Sequence, residues 1–110
     1  MNTIEKRIDL ISDISSKQFD TIRVFNSLKL DGYFKKLGCT QQNLSNDKII
    51  HFKLHYKRFN GNVCITLLNE NRYLILITDS HWTTIKTIRN IQENKIVQNI
   101  FELIHSIGYS

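Results

Sequence analysis

The apolar residues of this chain change their period at Ile49, and that change fixes the class of fold. Upstream, Ile4, Ile8, Ile11 and Ile14 recur at helical spacing with Leu10 beside them, and Phe19, Ile22, Phe25 and Leu28 continue it. From residue 49 the period is two. Phe52, Leu54 and Tyr56 fall on one face of a strand; His51, Lys53, His55 and Lys57 fall on the other. Beyond Asn90 the helical period returns, with Ile96, Ile100, Leu103, Ile104 and Ile107 striping a final helix up to Gly108. Helices and strands segregated in this order predict an α+β fold: N-terminal helices, an antiparallel β-meander of three to four strands, and a C-terminal helix. A chain of 110 residues suits a single domain over 1–110.

Local punctuation predicts the boundaries. Asn2 with Glu5, Ser15 with Gln18 and Asn90 with Glu93 have the spacing of capping boxes. Gly38, closing "YFKKLG", suits a left-handed helix cap before the polar loop "TQQNLSND". Asn60-Gly61 predicts a two-residue type I′ turn, because Asn and Gly tolerate the positive φ angles it needs. Such a turn pairs Tyr56 with Ile65 and Leu54 with Leu67. A second turn at "NENR" pairs Leu67 with Leu74 and Ile65 with Leu76, and "WTTIKTI" reads as a fourth strand. On this register Leu68, Tyr73, Ile75 and Ile77 share the histidines' face, and Trp82 sits in a turn beside His81.

Charge is concentrated in one place. Residues 1–32 carry five acids and five bases, and residues 61–110 carry four of each. The net +5 therefore sits in 33–60, where Lys35, Lys36, Lys48, Lys53, Lys57 and Arg58 face only Asp47. A patch concentrates potential where an even excess does not, which points to an acidic partner at this segment.

Several classes are disfavoured. No apolar run approaches the ~20 residues of a membrane span. The N-terminal stretch carries acids and alternating polar residues, unlike a targeting peptide, so the expected location is cytoplasmic. Cys39 and Cys64 stand 25 apart without a CxxC pair and read as packing residues. His51 and His55, four apart on a strand, stand about 13 Å from each other, too far to share one metal ion. No cofactor and no metal site are expected. Two histidines and a lysine can serve metal-independent RNA cleavage, with Thr66 opposite His55 on the expected register. No orienting carboxylate accompanies either histidine in sequence, so no catalytic residue is assigned.

The expectation is a binding protein. His51, Lys53, His55, Lys57, Arg58 and Phe59 form its basic half, and Tyr73, Ile75 and Trp82 its apolar half. An excess of Ile, Asn and Lys with no Ala or Pro matches AT-rich coding and fits an AT-rich genome or mobile or phage-borne DNA. These features together suggest an immunity or antitoxin-type inhibitor that occludes a toxin or nuclease by protein–protein contact. The alternative is a protein that binds RNA or single-stranded DNA through the basic hairpin, and a ribonuclease ranks third.

Overall fold

The computed structural model describes residues 18–38, 40–41 and 48–106. The helix expected over Ile4–Ile14, the caps at Asn2 and Ser15, Cys39, Ile107 and Gly108 lie outside these residues. Two helices come first, α1 (Thr21–Lys29) and α2 (Gly32–Lys36). The strands are β1 (Thr40–Gln41), β2 (Ile49–Tyr56), β3 (Phe59–Asn69), β4 (Arg72–Asp79) and β5 (Thr84–Ile91). A 3₁₀ turn, Glu93–Lys95, leads into α3 (Ile96–Ser106). The strands pair antiparallel in chain order, so the α+β meander expected from the sequence is the observed fold. No helix among the described residues is long and apolar enough to cross a membrane.

Each helix end has a local cause. The Asp20 carboxylate accepts from the Arg23 N–H at 3.0 Å and starts α1; Asp31 accepts from the Tyr33 N–H at 2.9 Å and starts α2. Gly38 ends α2 at φ +63°, as the sequence predicts, and the His55 carbonyl lies where its Cβ would stand. Helix α1 buries Thr21, Val24, Phe25 and Leu28, which leaves Ile22 exposed rather than in the core stripe. The Asn90–Glu93 capping box does not form. Asn90 ends up in β5 at φ +61°, and Glu93 instead takes a two-point ion pair from Arg23, at 3.0 and 3.2 Å.

The register of the sheet departs from expectation at two points. The first turn is Lys57-Arg58, with Tyr56 paired to Phe59, Leu54 to Gly61 and Ile50 to Ile65. Lys57 takes the positive φ, +54°, that was expected of Asn60-Gly61. Phe59 explains the choice. A turn at 60–61 would leave Phe59 on β2's histidine face, whereas a turn at 57–58 transfers it to β3 with the opposite parity. There it is 2% exposed, and burying a Phe contributes about 2–3 kcal/mol. The turn moves the partner of each β2 residue by six positions, an even number, so the two faces of β2 stay as expected.

The second point is a β-bulge. The turn at Glu70-Asn71 pairs Asn69 with Arg72 as expected, but the register then shifts between Leu67 and Asn69. One extra residue on β3 pairs Leu67 with Tyr73 and Ile65 with Ile75. A one-residue step exchanges the faces of everything beyond it. Tyr73, Ile75 and Ile77 therefore join Phe52, Leu54, Val63 and Ile65 under α1 and α3. Leu74, Leu76 and Thr78 take the other face.

Gly61 serves close packing instead of a left-handed turn. A Cβ there would collide with the Thr78 carbonyl and stand 2.7 Å from the Phe59 ring. Gly61→Ala is expected to cost roughly 2–3 kcal/mol, the scale of overpacking a filled site. Urea unfolding measures this, and a change under about 0.5 kcal/mol would mean that Gly61 is not so confined.

Candidate functional site

The second face of the sheet carries a small buried cluster and an open cleft. Ile49, Cys64, Leu76 and Trp82 form the cluster. Trp82 reaches it from the β4–β5 connection, which Asp79 builds by accepting the His81 and Thr83 N–H groups, both at 2.9 Å. Trp82 adopts φ +64°, an uncommon conformation for a bulky residue, held by the Asp79 turn and by burial to 6% exposure. Burial pushes the Cys64 thiol up to about 12, so it stays a neutral packing group.

His51 belongs to this interior and not to the surface row of cations. It is 1% exposed, and its ring lies 5.1 Å from that of Trp82. Its Nε2 stands 3.1 Å from the Asn62 side-chain oxygen. The Asn62 amide in turn donates to Thr78 Oγ1 at 3.4 Å and to the Asp79 carbonyl at 3.3 Å. With the amide oriented by those two acceptors, its oxygen faces His51, so Nε2 carries the proton. Nδ1 is buried without a hydrogen-bond partner. Burial lowers the His51 pKa below its usual 6.5, opposed by the bond to Asn62 and reinforced by the charge of Lys53.

Beside the cluster opens a cleft of about 460 Å³, lined by Lys53, His55, Asn60, Asn62, Ser80 and Trp82, among others. Here the exposed side chains of β2 and β3 converge. His55 Nδ1 bonds the Asn60 side-chain oxygen across the pair, and the His55 N–H donates to the Gly38 carbonyl at 3.3 Å. Lys53 projects beside them, with Lys57 and Arg58 exposed at the adjoining turn. Among the described residues no carboxylate bonds His55, and Thr66 pairs with Ile49 rather than with it. His51 is enclosed, so the two histidines do not form an acid–base pair. Nothing in the cleft positively indicates catalysis.

The expected site thus divides. Lys53, His55, Lys57 and Arg58 come together at one end of the sheet. His51 and Trp82 lie beneath them as buried support. Phe59, Tyr73 and Ile75 are core residues on the opposite face, the latter two carried there by the bulge. Asn60, Asn62 and Ser80 were missed. The paired positions of a hairpin could have revealed the two asparagines once the turn was placed at 57–58. A second cleft, about 540 Å³, lies at the far end of β3–β4 against Arg23, Tyr73 and Glu93. There Tyr73 donates to Glu93 at 3.3 Å and Arg23 is paired with the same carboxylate, so that cleft lacks a concentrated charge.

Comparison with models of known families, with curated proteins and with solved structures finds no match to this chain.

The buried imidazole makes stability depend on pH with a definite sign. The folded pKa is below the unfolded one, so the stability His51 confers is complete above about 6.5 and falls as pH drops towards the folded value. One proton limits the slope to about 1.4 kcal/mol per pH unit. Denaturant unfolding of wild type and His51→Gln between pH 7.5 and 5 should show a shallower acid loss in the variant. Parallel curves would remove His51 as the titrating group.

Proposed function

We propose that the chain is a non-catalytic binding protein whose partner is a single-stranded nucleic acid, held at the β2–β3 hairpin. One observation carries this reading: the exposed side chains that converge on the cleft and its adjoining turn are cations and hydrogen-bonding groups. Lys53, Lys57 and Arg58 supply charge, and His55, Asn60 and Ser80 supply polar contacts. Charge of one sign on a short antiparallel hairpin suits a phosphate backbone, whose binding releases counterions. A cleft open along one side accommodates a flexible strand more readily than a rigid duplex.

The immunity or antitoxin-type inhibitor is the second reading. Its expected apolar half, Tyr73, Ile75 and Trp82, is buried. What favours it now is α1, where Ile22 and the capping Leu30 remain 75% and 88% exposed. Large exposed aliphatic side chains of this kind suit a protein contact.

Replacing Lys53, Lys57 and Arg58 together with Glu tests the two readings. Each change removes one positive charge and adds one negative, so the net charge moves by six, from +5 to −1. The three side chains are exposed, and stability should change by under about 0.5 kcal/mol for each. Wild type should bind a single-stranded oligonucleotide with log affinity falling linearly in log salt. The triple variant should lose most of that binding, with the slope reduced by about 2, near 0.7 per cation removed. Unchanged oligonucleotide binding by the variant would refute the site. A salt-resistant complex with a co-purifying protein, lost on Ile22→Asp or Leu30→Asp, would favour the inhibitor.

A further inference from the structure

The hairpin tip also borders an aromatic ridge on the opposite side of the sheet. Tyr33 of α2 and Phe101 of α3 lie 4.7 Å apart between ring centroids, and Phe101 lies 5.7 Å from Tyr56 of β2. His105, one turn further along α3, stacks on Phe101 at 5.4 Å and an interplanar angle of 22°. The Tyr56 hydroxyl reaches His105 Nδ1 at 3.4 Å. Two lysines frame the ridge. The Lys36 ammonium stands 5.1 Å from the centre of the Tyr33 ring, and that of Lys57 stands 5.5 Å from Tyr56.

These rings are not sealed into the core. Tyr33 is 40% exposed, His105 is exposed, and Tyr56 and Phe101 are half-buried. Tyr33 and Phe101 come from helices far apart in sequence, joined here by the packing of α2 against α3. The ridge is therefore partly open to solvent, with a lysine ammonium over each tyrosine ring. Lys57 belongs to both features, since it sits in the turn that joins the cationic cleft to the ridge.

We propose that the ridge is a stacking platform for nucleobases, continuous through Lys57 and Arg58 with the phosphate-binding cleft. Every base has a π-face, so stacking on tyrosine tolerates sequence while the flanking ammonium groups hold the backbone. A strand passing over the turn places phosphates on Lys57 and Arg58 and its next bases on Tyr56 and Tyr33. This inference rests on the nucleic-acid reading of the cleft and adds what that reading lacks, a surface that distinguishes nucleic acid from any other polyanion.

Two probes separate the claims: a fluorescent twelve-residue oligothymidylate, and inorganic polyphosphate as a polyanion without bases. At about 50 mM salt, Tyr33→Ala should weaken oligothymidylate binding roughly 5- to 100-fold, the usual effect of removing one stacking ring, while leaving polyphosphate affinity within about twofold. Tyr33→Phe keeps the ring and should bind like wild type. His105→Ala, at an exposed position, should act in the same direction as Tyr33→Ala and guards against a folding defect in either variant. Equal losses towards both probes would mean that the ring acts through the fold, and would overturn the proposal. If Tyr33→Ala and His105→Ala bind oligothymidylate as wild type does, while the triple glutamate variant does not, the platform falls and the cationic cleft stands. If wild-type protein binds neither oligothymidylate nor a DNA of mixed sequence, both fall together, and the ridge is a protein-facing or purely structural surface.

Discussion

Pairing of β3 with β4 beyond the bulge at Leu67–Asn69 decides which half of the molecule is interior. With Ile65 opposite Ile75, the inward row of β4 is Tyr73, Ile75 and Ile77, and these meet Val24, Leu28, Ile96, Ile100 and Ile104 from the helices. Had the step been omitted, Leu74, Leu76 and Thr78 would face the helices, and a threonine hydroxyl would enter an apolar core. The bulge thus delivers three large side chains to the main core and sends Thr78 to the face where Asn62 can donate to it. Burying a polar group is costly unless it finds a partner. The same residue step therefore fills one face and gives Thr78 a partner on the other.

On that second face, His51, Asn62 and Thr78 form a polar seam through otherwise apolar surroundings. The seam ties β2, β3 and β4 together, since its members come one from each strand. Trp82 closes over it from the β4–β5 connection, held there by the two backbone bonds to Asp79. This arrangement gives the cleft a rigid floor. Lys53 and His55 stand two and four residues beyond His51 on the same strand, so their direction follows from the anchoring of that ring. Rigid support beneath exposed cations limits the entropy lost when a partner orders them.

The faces of β2 were legible in the sequence because its alternation is strict, and they survived an error in the turn because the displacement was even. The turn itself was misplaced because Asn60-Gly61 is the stronger local signal, while the burial of Phe59 is a tertiary effect with no local mark. β4 was not legible at all in this respect. "YLILI" is apolar at every position, so periodicity cannot say which row faces the helices. Only the bulge decides, and nothing in "LLNENR" announces an extra residue. In the site, the segment balance of charge points to Lys53, Lys57 and Arg58, which lie exposed at one end of the sheet. His51 looked like a fourth cation because it stands in their row, and its enclosure depends on Trp82, thirty-one positions further along. The aromatic ridge was invisible for the same reason, since Tyr33, Tyr56 and Phe101 belong to three elements that only packing brings together.

Charge and aromatic surface are thereby separated by the sheet and rejoined at its end. The cleft offers Lys53 and His55 on one side; the ridge offers Tyr33, Tyr56 and Phe101 on the other; Lys57 and Arg58 occupy the turn between them. A flexible polyanion can pass around it and use both, gaining phosphate contacts and stacking in succession without either surface being large. The positive φ of Lys57 fits this geometry. A residue with a long charged side chain occupies a turn position where glycine or asparagine would be less strained, and the strain is tolerated at the one place where the two surfaces meet.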